Sequence, residues 1–340
     1  MRQGAWMAAL FLAGCATPQP GSLPDTATVT AVAQTEPVGT AQADAADDPA
    51  IWRNAADPAA SLIVGTDKKA GLYVYGLDGK VRDFVPAGRV NNVDLVDLGA
   101  SGVIVVASDR NDATRARLLV YRLDPRSAKL ALLGTVEGGA GEAYGVCLLA
   151  HNGGVDAFSV LKHGAIQQVR LAIAANVTGS TVRTLQVPTQ TEGCVVDPRD
   201  GTLYVGEEDR GIWAFPAKAT GSEGSIVAQV DGRHLFADVE GLALMPRGEK
   251  GGWLIASSQG DNAYALFRLP DMTPAGRFRM VAGRFGGTEE TDGIAVASGS
   301  FGPGYRDGLF VAQDGVNPPD AQNFKFVSWE DVVSALNTRK

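Results

Sequence analysis

Glu240-Gly241-Leu242-Ala243 decides the fold of this chain, because an acidic turn there leads directly into an apolar strand and the same arrangement recurs. Five other segments share this order of a short polar turn followed by an apolar strand: Asp48-Pro49-Ala50-Ile51, Asn92-Val93-Asp94-Leu95, Tyr144-Gly145-Val146-Cys147, Glu192-Gly193-Cys194-Val195 and Asp292-Gly293-Ile294-Ala295. In chain order, the glycines of the last four segments are 48, 48 and 52 residues apart. Repeats of this length are typical of propeller blades and similar supersecondary units.

A second strand follows each of these turns and ends in polar or charged residues, as it does at residues 62–68 and 103–110. A third strand with alternating apolar residues comes next, and Asp78-Gly79 and Asp200-Gly201 are typical hairpin turns. One short terminal helix is predicted over residues 329–336. The sequence therefore predicts an all-β protein, a six-bladed β-propeller with four-stranded antiparallel blades.

The length and composition fit one or two globular domains, and the repeat favours one closed domain. The chain has 340 residues, of which 45% are hydrophobic and 20% charged, enough apolar material for a sizeable core. Its formal net charge of −8 argues against nucleic acid as a partner, because binding a phosphate backbone requires a basic face. We expect a monomer that does not bind nucleic acid.

The N-terminus has the pattern of an export signal, with Arg2 before an apolar stretch over residues 5–13. The segment Leu12-Ala13-Gly14-Cys15 resembles a bacterial lipobox, in which Cys15 is lipidated and becomes the first residue of the mature protein. An ordinary signal peptide is the alternative. The apolar run is too short to cross a bilayer.

This pattern gives a three-part division of the chain. Residues 1–14 are predicted to be a lipoprotein signal peptide. Residues 15–43, rich in Thr, Pro, Gln and Ala, are predicted to be a flexible tether, and residues 44–340 the propeller. We expect an extracytoplasmic protein, periplasmic or on the cell surface, held at a bacterial membrane by its lipid alone, with secretion as the alternative.

Two cysteines remain besides Cys15, and they lie in neighbouring repeats. Export permits a disulfide between Cys147 and Cys194. Cysteines on inner strands often act as small apolar residues, however, so two buried free thiols are predicted.

Polar residues at both ends of the first hairpin of each repeat should share one face of the propeller. In an antiparallel hairpin the start of the first strand and the end of the second lie together. First strands line the central channel, so their leading residues should converge near the axis: Asp47, Asp48, Tyr144, Glu192, Glu240 and Asp292. The ends of the second strands should surround them with Lys68, Arg110, Lys162, Glu208 and Asp314.

Crowded carboxylates repel one another unless they are protonated or neutralised, and metal ions are the simplest remedy. The chain has three histidines, none of them in either group, and an all-oxygen ligand set selects hard cations, calcium better than magnesium. Calcium would attract phosphate or carboxylate anions, with Lys68, Lys69, Arg110 and Lys162 completing the receptor. Metal ions can also activate water, and the pattern alone does not choose between binding and hydrolysis.

The chain also resembles a known family, the β-propeller phytases, which are calcium-dependent bacterial phosphatases acting on myo-inositol hexakisphosphate (phytate). The resemblance runs from Asp44 to Trp329. Its matching segments are Asp44-Ala45-Ala46-Asp47-Asp48-Pro49-Ala50-Ile51-Trp52, Thr66-Asp67-Lys68-Lys69-Ala70-Gly71-Leu72, Asn91-Asn92-Val93-Asp94, Thr191-Glu192-Gly193, Glu207-Glu208-Asp209, Asp238-Val239-Glu240-Gly241-Leu242, Ala256-Ser257-Ser258-Gln259-Gly260, Thr291-Asp292-Gly293-Ile294 and Phe310-Val311-Ala312-Gln313-Asp314-Gly315.

The resemblance implies a 3-phytase-like phosphomonoesterase with several calcium ions and two neighbouring phosphate subsites. A calcium-activated water would attack phosphorus, so no protein nucleophile is required. The implied metal ligands are Asp47, Asp48, Glu192, Glu208, Glu240, Asp292 and Asp314. The implied catalytic residues are Lys68, Arg110, Tyr144 and Glu208, and Lys68, Lys69, Arg110 and Lys162 would bind phosphate.

The chain departs from the family pattern in three places, and two other functions stay open. Val96 stands where the family often has Arg, the loop around Lys162 is short, and Asp109 beside Arg110 is expected to weaken its pull on phosphate. One alternative is a non-catalytic calcium-dependent binding propeller. The other is a propeller lactonase-type hydrolase, which has less need of the three cations at the mouth.

Overall fold

Six sheets, five with four strands and one with five, surround a common axis in the computed structural model, which describes residues 25–41, 44–151 and 154–338. Two short strands precede the blades, β1 (Ala27–Thr30) and β2 (Ala33–Gln34). Blade one holds β3 (Ala46–Trp52), β4 (Leu62–Asp67), β5 (Gly71–Gly76) and β6 (Val81–Pro86). Blade two holds β7 (Val90–Asp97), β8 (Val103–Asp109), β9 (Arg115–Asp124) and β10 (Lys129–Ala140). Blade three holds β11 (Ala143–His151), β12 (Gly154–Leu161), β13 (Ala165–Ile173) and β14 (Val177–Gln186). Blade four holds β15 (Thr191–Asp197), β16 (Thr202–Glu207), β17 (Gly211–Pro216) and β18 (Ser225–Gln229); blade five holds β19 (Val239–Arg247), β20 (Gly251–Ser258), β21 (Ala263–Leu269) and β22 (Thr273–Val281); blade six holds β23 (Ile294–Ser298), β24 (Gly308–Asp314) and β25 (Asn323–Ser328).

Short helical segments complete the described part of the chain. Three 3₁₀ helices lie between strands, and one α-helix, α1 (Trp329–Asn337), follows the last strand as predicted. The 3₁₀ helices are Pro58–Ala60, Gly99–Ser101 and Gln259–Asp261. Within the residues that the structure describes, no helix is long and apolar enough to span a membrane.

The sequence pattern of each strand matches its depth in the propeller. The second strands β4, β8 and β24 are buried along their whole length, because both faces of each are covered by neighbouring blades. The outer strand β6 instead alternates partly buried and exposed residues. Side chains of neighbouring blades interdigitate, as Val64 and Val74 of blade one do with Val93 and Val105 of blade two. The predicted six-bladed β-propeller is therefore confirmed.

The N-terminal strands close the ring. Strand β2 is the fourth strand of blade six, where Ala33 pairs with Phe326 and Gln34 with Lys325. Strand β1 is a fifth strand of blade five, parallel to β22. Both termini therefore contribute to the last blades of the propeller.

The prediction of a flexible tether over residues 15–43 is wrong for residues 25–41. The short alternation there is that of a half-buried strand, because Ala27 and Val29 are buried while Thr28 and Thr30 are exposed. Helix α1 covers β1 through Trp329 and Val332, which belong to the same apolar cluster. Cys15 and the predicted signal peptide lie outside the described residues.

A disulfide joins blades three and four. Cys147 on β11 and Cys194 on β15 are bonded, and their Cα atoms lie 5.7 Å apart, in the usual range for a disulfide. The prediction of two free thiols is therefore wrong. The repeat places both cysteines on inner strands of neighbouring blades. The packing of the two strands around the axis then brings the cysteines opposite each other.

Candidate active site

A one-residue bulge at the start of the first strands determines which side chains reach the axis. In blade one, Ala46 pairs with Asp67 whereas Pro49 pairs with Gly65, so three steps on β3 face two steps on β4. Blades two to five have the same shift at the same place. In blade six, Ile294 pairs with Ala312 in the position of the Pro49 pair.

Matching these registers gives one residue from each blade, which we call the inner ring: Asp47, Asn91, Tyr144, Glu192, Glu240 and Asp292. Five of these six positions contain a residue that the sequence placed at the mouth. In blade two the member of the ring is Asn91, not its neighbour Asn92. Asp48 lies one residue further along the chain than the inner ring.

The glycines of the repeat permit this convergence. A Cβ on Gly193 would lie 2.1 Å from the carbonyl oxygen of Glu240, and one on Gly145 would lie 1.9 Å from that of Glu192. At these glycines the inner strand of the next blade therefore comes too close to leave room for a side chain. In each Glu-Gly pair the glutamate belongs to the inner ring, and the glycine permits the close packing of blades that positions it.

The residues after the second strands form an outer ring: Lys68, Arg110, Lys162, Glu208, Gln259 and Gly315. Asp314 is one position too early for this ring, in register with Asp67, Asp109 and Glu207. The expectation that Asp314 lies among the mouth residues is wrong. Its Oδ1 accepts a hydrogen bond from Val316 N, and its Oδ2 lies 3.1 Å from the buried ammonium of Lys325.

The carboxylates in register with Asp314 hold nearby loops instead of facing the axis. Asp109 Oδ1 accepts hydrogen bonds from the backbone and side-chain nitrogens of Asn111, at 2.9 and 2.6 Å. Asp109 is thus held by Asn111, and its weakening effect on the pull of Arg110 on phosphate stays a prediction. Glu207 accepts hydrogen bonds from Thr189 and from Trp213 Nε1.

Lys68 lies among carboxylates of blades one and six. Its Nζ is 2.7 Å from Asp292 Oδ2 and 3.2 Å from Asp47 Oδ2, and it also contacts Asp44. Burial opposes the charge of Lys68, but Asp47 and Asp292 raise its pKa above the ordinary value, so the ammonium stays charged. Lys69, the next residue, is exposed.

Two further cations stack on one aromatic ring. Arg110 Cζ lies 5.0 Å, and Lys162 Nζ 4.8 Å, from the centre of the Tyr144 ring. Cations at this distance are attracted to the negative face of the ring. A hydrogen bond to Tyr144 raises the pKa of Lys162. The short loop after β12 therefore still brings Lys162 to the mouth.

Three glutamates face the cations from blades four and five. Carboxylate oxygens of Glu192, Glu208 and Glu240 lie within 4.8 Å of one another, and all three residues are buried. Burial, followed by the charges of Asp47 and neighbouring acids, raises the pKa of Glu192 well above its ordinary value. Burial likewise raises the pKa of Glu240 and Glu208.

Several of these buried oxygens have no hydrogen-bond donor within the described residues. They are Oδ1 of Asp47, Oε1 of Glu208 and Oε2 of Glu240, whereas Oδ2 of Asp47 is paired with the Lys68 ammonium at 3.2 Å. A buried charge without a partner is strongly unfavourable, so this arrangement calls for a positive ligand. An all-oxygen donor set of this kind fits a hard divalent cation.

Comparisons with known proteins show the family of this chain. The family model described as Phytase matches residues 9–340. The chain belongs to the phytase family. It is 38% identical over 327 residues to a 3-phytase of Bacillus subtilis (strain 168), a match that covers 91% of this chain and 85% of the relative. The prediction of a phytase-family enzyme is confirmed.

Solved structures similar to this phytase-family chain support the fold alone, since each shares only 12% sequence identity. An aldose sugar dehydrogenase from Streptomyces coelicolor, in its PQQ-bound form, matches with a TM-score of 0.53 over 90% of this chain and 99% of its own. A chain in a crystal structure of the mitotic checkpoint complex matches with a TM-score of 0.51 over 94% and 98%.

Asp48 lies beneath the inner ring of this phytase-family propeller. Its Oδ2 accepts a hydrogen bond from Val93 N, and Asp94 Oδ2 accepts one from Leu148 N in the next blade. Burial raises the pKa of Asp48 well above its ordinary value and that of Asp94 to about 7. Both residues line a central channel of about 400 Å³ and bridge adjacent blades.

Sequence reasoning missed three polar residues at the mouth. Gln259 donates a hydrogen bond to Asp292 Oδ1, and its place after a second strand is the signal that could have found it. Asn91 donates to Glu192 Oε1. Glu142 contacts Arg110, and no motif indicated it because it precedes the repeated turn.

Proposed function

We propose that this protein is a calcium-dependent phytase that hydrolyses phosphomonoesters of myo-inositol hexakisphosphate. One observation carries the proposal: buried carboxylate oxygens without hydrogen-bond donors lie at the same mouth as the cations of Lys68, Arg110 and Lys162. The mouth can therefore attract both a metal ion and a phosphate. The 3-phytase relative supports the same substrate.

The residues that would hold calcium are Asp47, Glu192, Glu208, Glu240 and Asp292. Their carboxylates are the ligands that calcium prefers, and their mutual repulsion is relieved either by protonation or by added positive charge. When bound, calcium supplies positive charge for phosphate oxygens and acts as a Lewis acid toward water.

The cations have separate tasks in this proposal. Lys68, held by Asp47 and Asp292, binds a phosphate between blades one and six. Arg110 and Lys162, stacked on Tyr144, bind an adjacent phosphate. The two rings contain no serine, threonine, cysteine or histidine. In this proposal their carboxylates hold the metal ion and the cations orient phosphate, so that water attacks phosphorus and no side chain does.

The test is release of inorganic phosphate from inositol hexakisphosphate by the purified protein. We expect turnover at neutral pH with calcium, loss of turnover with a chelator, and recovery when calcium is restored. Magnesium at the same concentration serves as the control for a general effect of divalent cations. No phosphate release with calcium restored would reject the proposal.

We further propose that the protein is extracytoplasmic and anchored through a lipid on Cys15. The Cys147–Cys194 disulfide supports an oxidising compartment. Fractionation of cells that produce the wild type or Cys15→Ser tests this. We expect only the wild type in the membrane fraction, and equal membrane association of both proteins would contradict the anchor.

A further inference from the structure

The guanidinium of Arg110 is held on three sides. Its Nε and Nη2 both donate to Oε1 of Glu142, at 3.0 and 2.5 Å, and its Nη1 donates to Oδ1 of Asn91. Its flat face lies on the Tyr144 ring. Asn91 lies on the first strand of blade two, and Glu142 lies on the link between blades two and three, so Arg110 is fixed near the seam between these blades.

These contacts leave a defined edge for a ligand. A guanidinium has five N–H donors, and three of them are used here. One N–H on Nη1 and one on Nη2 are left over. We call this pair the fork of the guanidinium, and such a pair can bind two oxygens of one phosphate.

We propose that Glu142 is a positioning residue for phosphate binding, an inference that rests on the proposed phytase function. Its carboxylate locks the guanidinium of Arg110 against Tyr144 with the fork directed at the phosphate. The Arg110 and Glu142 side chains are only 13% and 20% exposed, so solvent screens this pair less than a surface ion pair. Asn91 supports the same orientation from the other side.

The negative charge of Glu142 distinguishes a positioning role from a purely electrostatic role. A carboxylate beside Arg110 repels phosphate, so a purely electrostatic role predicts that its removal strengthens substrate binding. A positioning role predicts weaker binding, because a freed arginine side chain must be ordered again by each substrate molecule. The backbone of residue 142 also accepts a hydrogen bond from Lys162 N, and side-chain substitutions preserve that contact.

The experiment compares Glu142→Ala, Glu142→Gln and Glu137→Ala in calcium-dependent phytate hydrolysis. Glu137 on β10 is the matched control, because it makes a similar but solvent-exposed pair with Arg115 on β9. We expect Glu142→Ala to raise KM about tenfold with little change in kcat, because the charged hydrogen bonds from Arg110 to the substrate are weakened when the arginine side chain is no longer held in place. Glu142→Gln retains the acceptor and should stay within about threefold of the wild type, as should Glu137→Ala.

A double-mutant cycle with Arg110→Lys gives the decisive comparison. Lysine has no fork to orient, so Glu142→Ala should change KM less than about twofold in that background. Additive effects would overturn the proposal, because they would show that Glu142 acts through the fold and not through Arg110. A lower KM in both Glu142 variants would overturn it in favour of the electrostatic role.

Calorimetric binding of myo-inositol hexakissulfate, a polyanion that is not a phosphate ester, keeps this test separate from the phytase proposal. If the wild type releases no phosphate, the proposed function fails. Glu142→Ala should still bind the polyanion about tenfold more weakly than the wild type and Glu142→Gln. Equal binding by all three proteins would overturn the positioning role.

Discussion

The Lys68 ammonium donates to Asp292 Oδ2 at 2.7 Å, although the two residues are 224 positions apart in the chain. Lys68 follows the second strand of blade one, and Asp292 leads into the first strand of blade six. The seam at which the propeller closes is therefore also part of its candidate active site. A change in blade closure should alter the position of a phosphate-binding cation.

Replacement of Lys68 by alanine should abolish most of the activity. The variant removes the charge that is aimed at phosphate and leaves Asp47 and Asp292 without their ammonium partner. We expect kcat/KM to fall by about 100-fold or more, as for loss of a preorganised charge in an active site. Lys80→Ala, an exposed change in the same blade, is the control.

Calcium should compensate for the missing ammonium in the stability of Lys68→Ala. We expect a lower melting temperature than that of the wild type in calcium-free buffer and a smaller difference when calcium is present. Thermal melts in both buffers measure this. Wild-type activity in Lys68→Ala would contradict the role of this cation in phosphate binding.

The adjacent residues Glu207 and Glu208 should respond to substitution in opposite ways. Glu208 faces the mouth, and its Oε1 has no hydrogen-bond donor within the described chain. We expect Glu208→Gln to lower kcat/KM by about 100-fold or more. Because burial raises the pKa of the Glu208 carboxyl, its neutral replacement should leave calcium-free stability unchanged or higher at neutral pH.

Glu207→Gln is the matched comparison. Glu207 is fully buried and accepts hydrogen bonds from Thr189 and Trp213, so the variant should lose about 1–3 kcal/mol of stability while its folded fraction stays active. Urea unfolding and phosphate release at 25 °C measure the two effects. Similar losses of activity in both variants would refute the separation of their roles.

The sequence predicted the blades and most of the mouth because both depend on a recurring local pattern. Each turn and strand is encoded within a few residues, and an antiparallel hairpin necessarily places Lys68, Arg110, Lys162 and Glu208 beside the inner strands. The repeat thus located cations and carboxylates that lie more than 200 residues apart, as Lys68 and Asp292 do.

The errors are errors of register and of side-chain direction. A one-residue bulge decides whether Asn91 or Asn92 belongs to the inner ring, and the spacing of the repeat does not reveal a bulge. A difference of one residue also separates Asp314 from the outer ring, in which Gly315 takes the place after the second strand. The contact of Glu142 with Arg110 depends on side-chain packing between blades, for which no local pattern exists.

Calcium-free protein should lose stability as the pH rises from 5 to 8. Burial, partly offset by Lys68, raises the pKa of Asp47 from 3.8 to about 7. A carboxyl whose pKa is higher in the folded state than in the unfolded state favours folding below its unfolded pKa. That contribution disappears as the pH rises through the folded value.

Calcium should reverse this trend, because its carboxylate ligands must be ionised. At a calcium concentration 100 times Kd, each site adds about 2.7 kcal/mol. The rise in melting temperature on adding calcium should therefore grow between pH 5 and 8. Melts of dialysed protein with and without calcium at four pH values measure both trends. A calcium-free melting temperature that increases over this interval would contradict the assignment.

The Cys147–Cys194 disulfide should stabilise the propeller. The two residues are 47 positions apart, and closing a loop of this size in the unfolded chain corresponds to about 4 kcal/mol by chain entropy. We expect the Cys147→Ser, Cys194→Ser double variant to unfold at a lower urea concentration than the oxidised wild type. Reductant should lower the stability of the wild type only, and an equal effect on both proteins would exclude the disulfide as its cause.

The N-terminal strands should be required for the stability of the closed propeller. Val29 on β1 is 6% exposed and packs in one cluster with Phe278 and Met280, whereas its neighbour Thr28 is exposed. Val29→Asp places an unpaired charge in this cluster and should cost about 3 kcal/mol or more, whereas Thr28→Asp should change stability by less than about 0.5 kcal/mol.

Gln34→Ala provides an independent measurement on β2. Gln34 Oε1 accepts a hydrogen bond from Lys325 Nζ at 2.8 Å, and Lys325 is fully buried. Loss of this acceptor leaves a buried ammonium with fewer partners and should cost about 1–3 kcal/mol. Urea unfolding of the three variants tests both strands. Wild-type stability in Val29→Asp and Gln34→Ala would mean that residues 25–41 are dispensable, as a flexible tether would be.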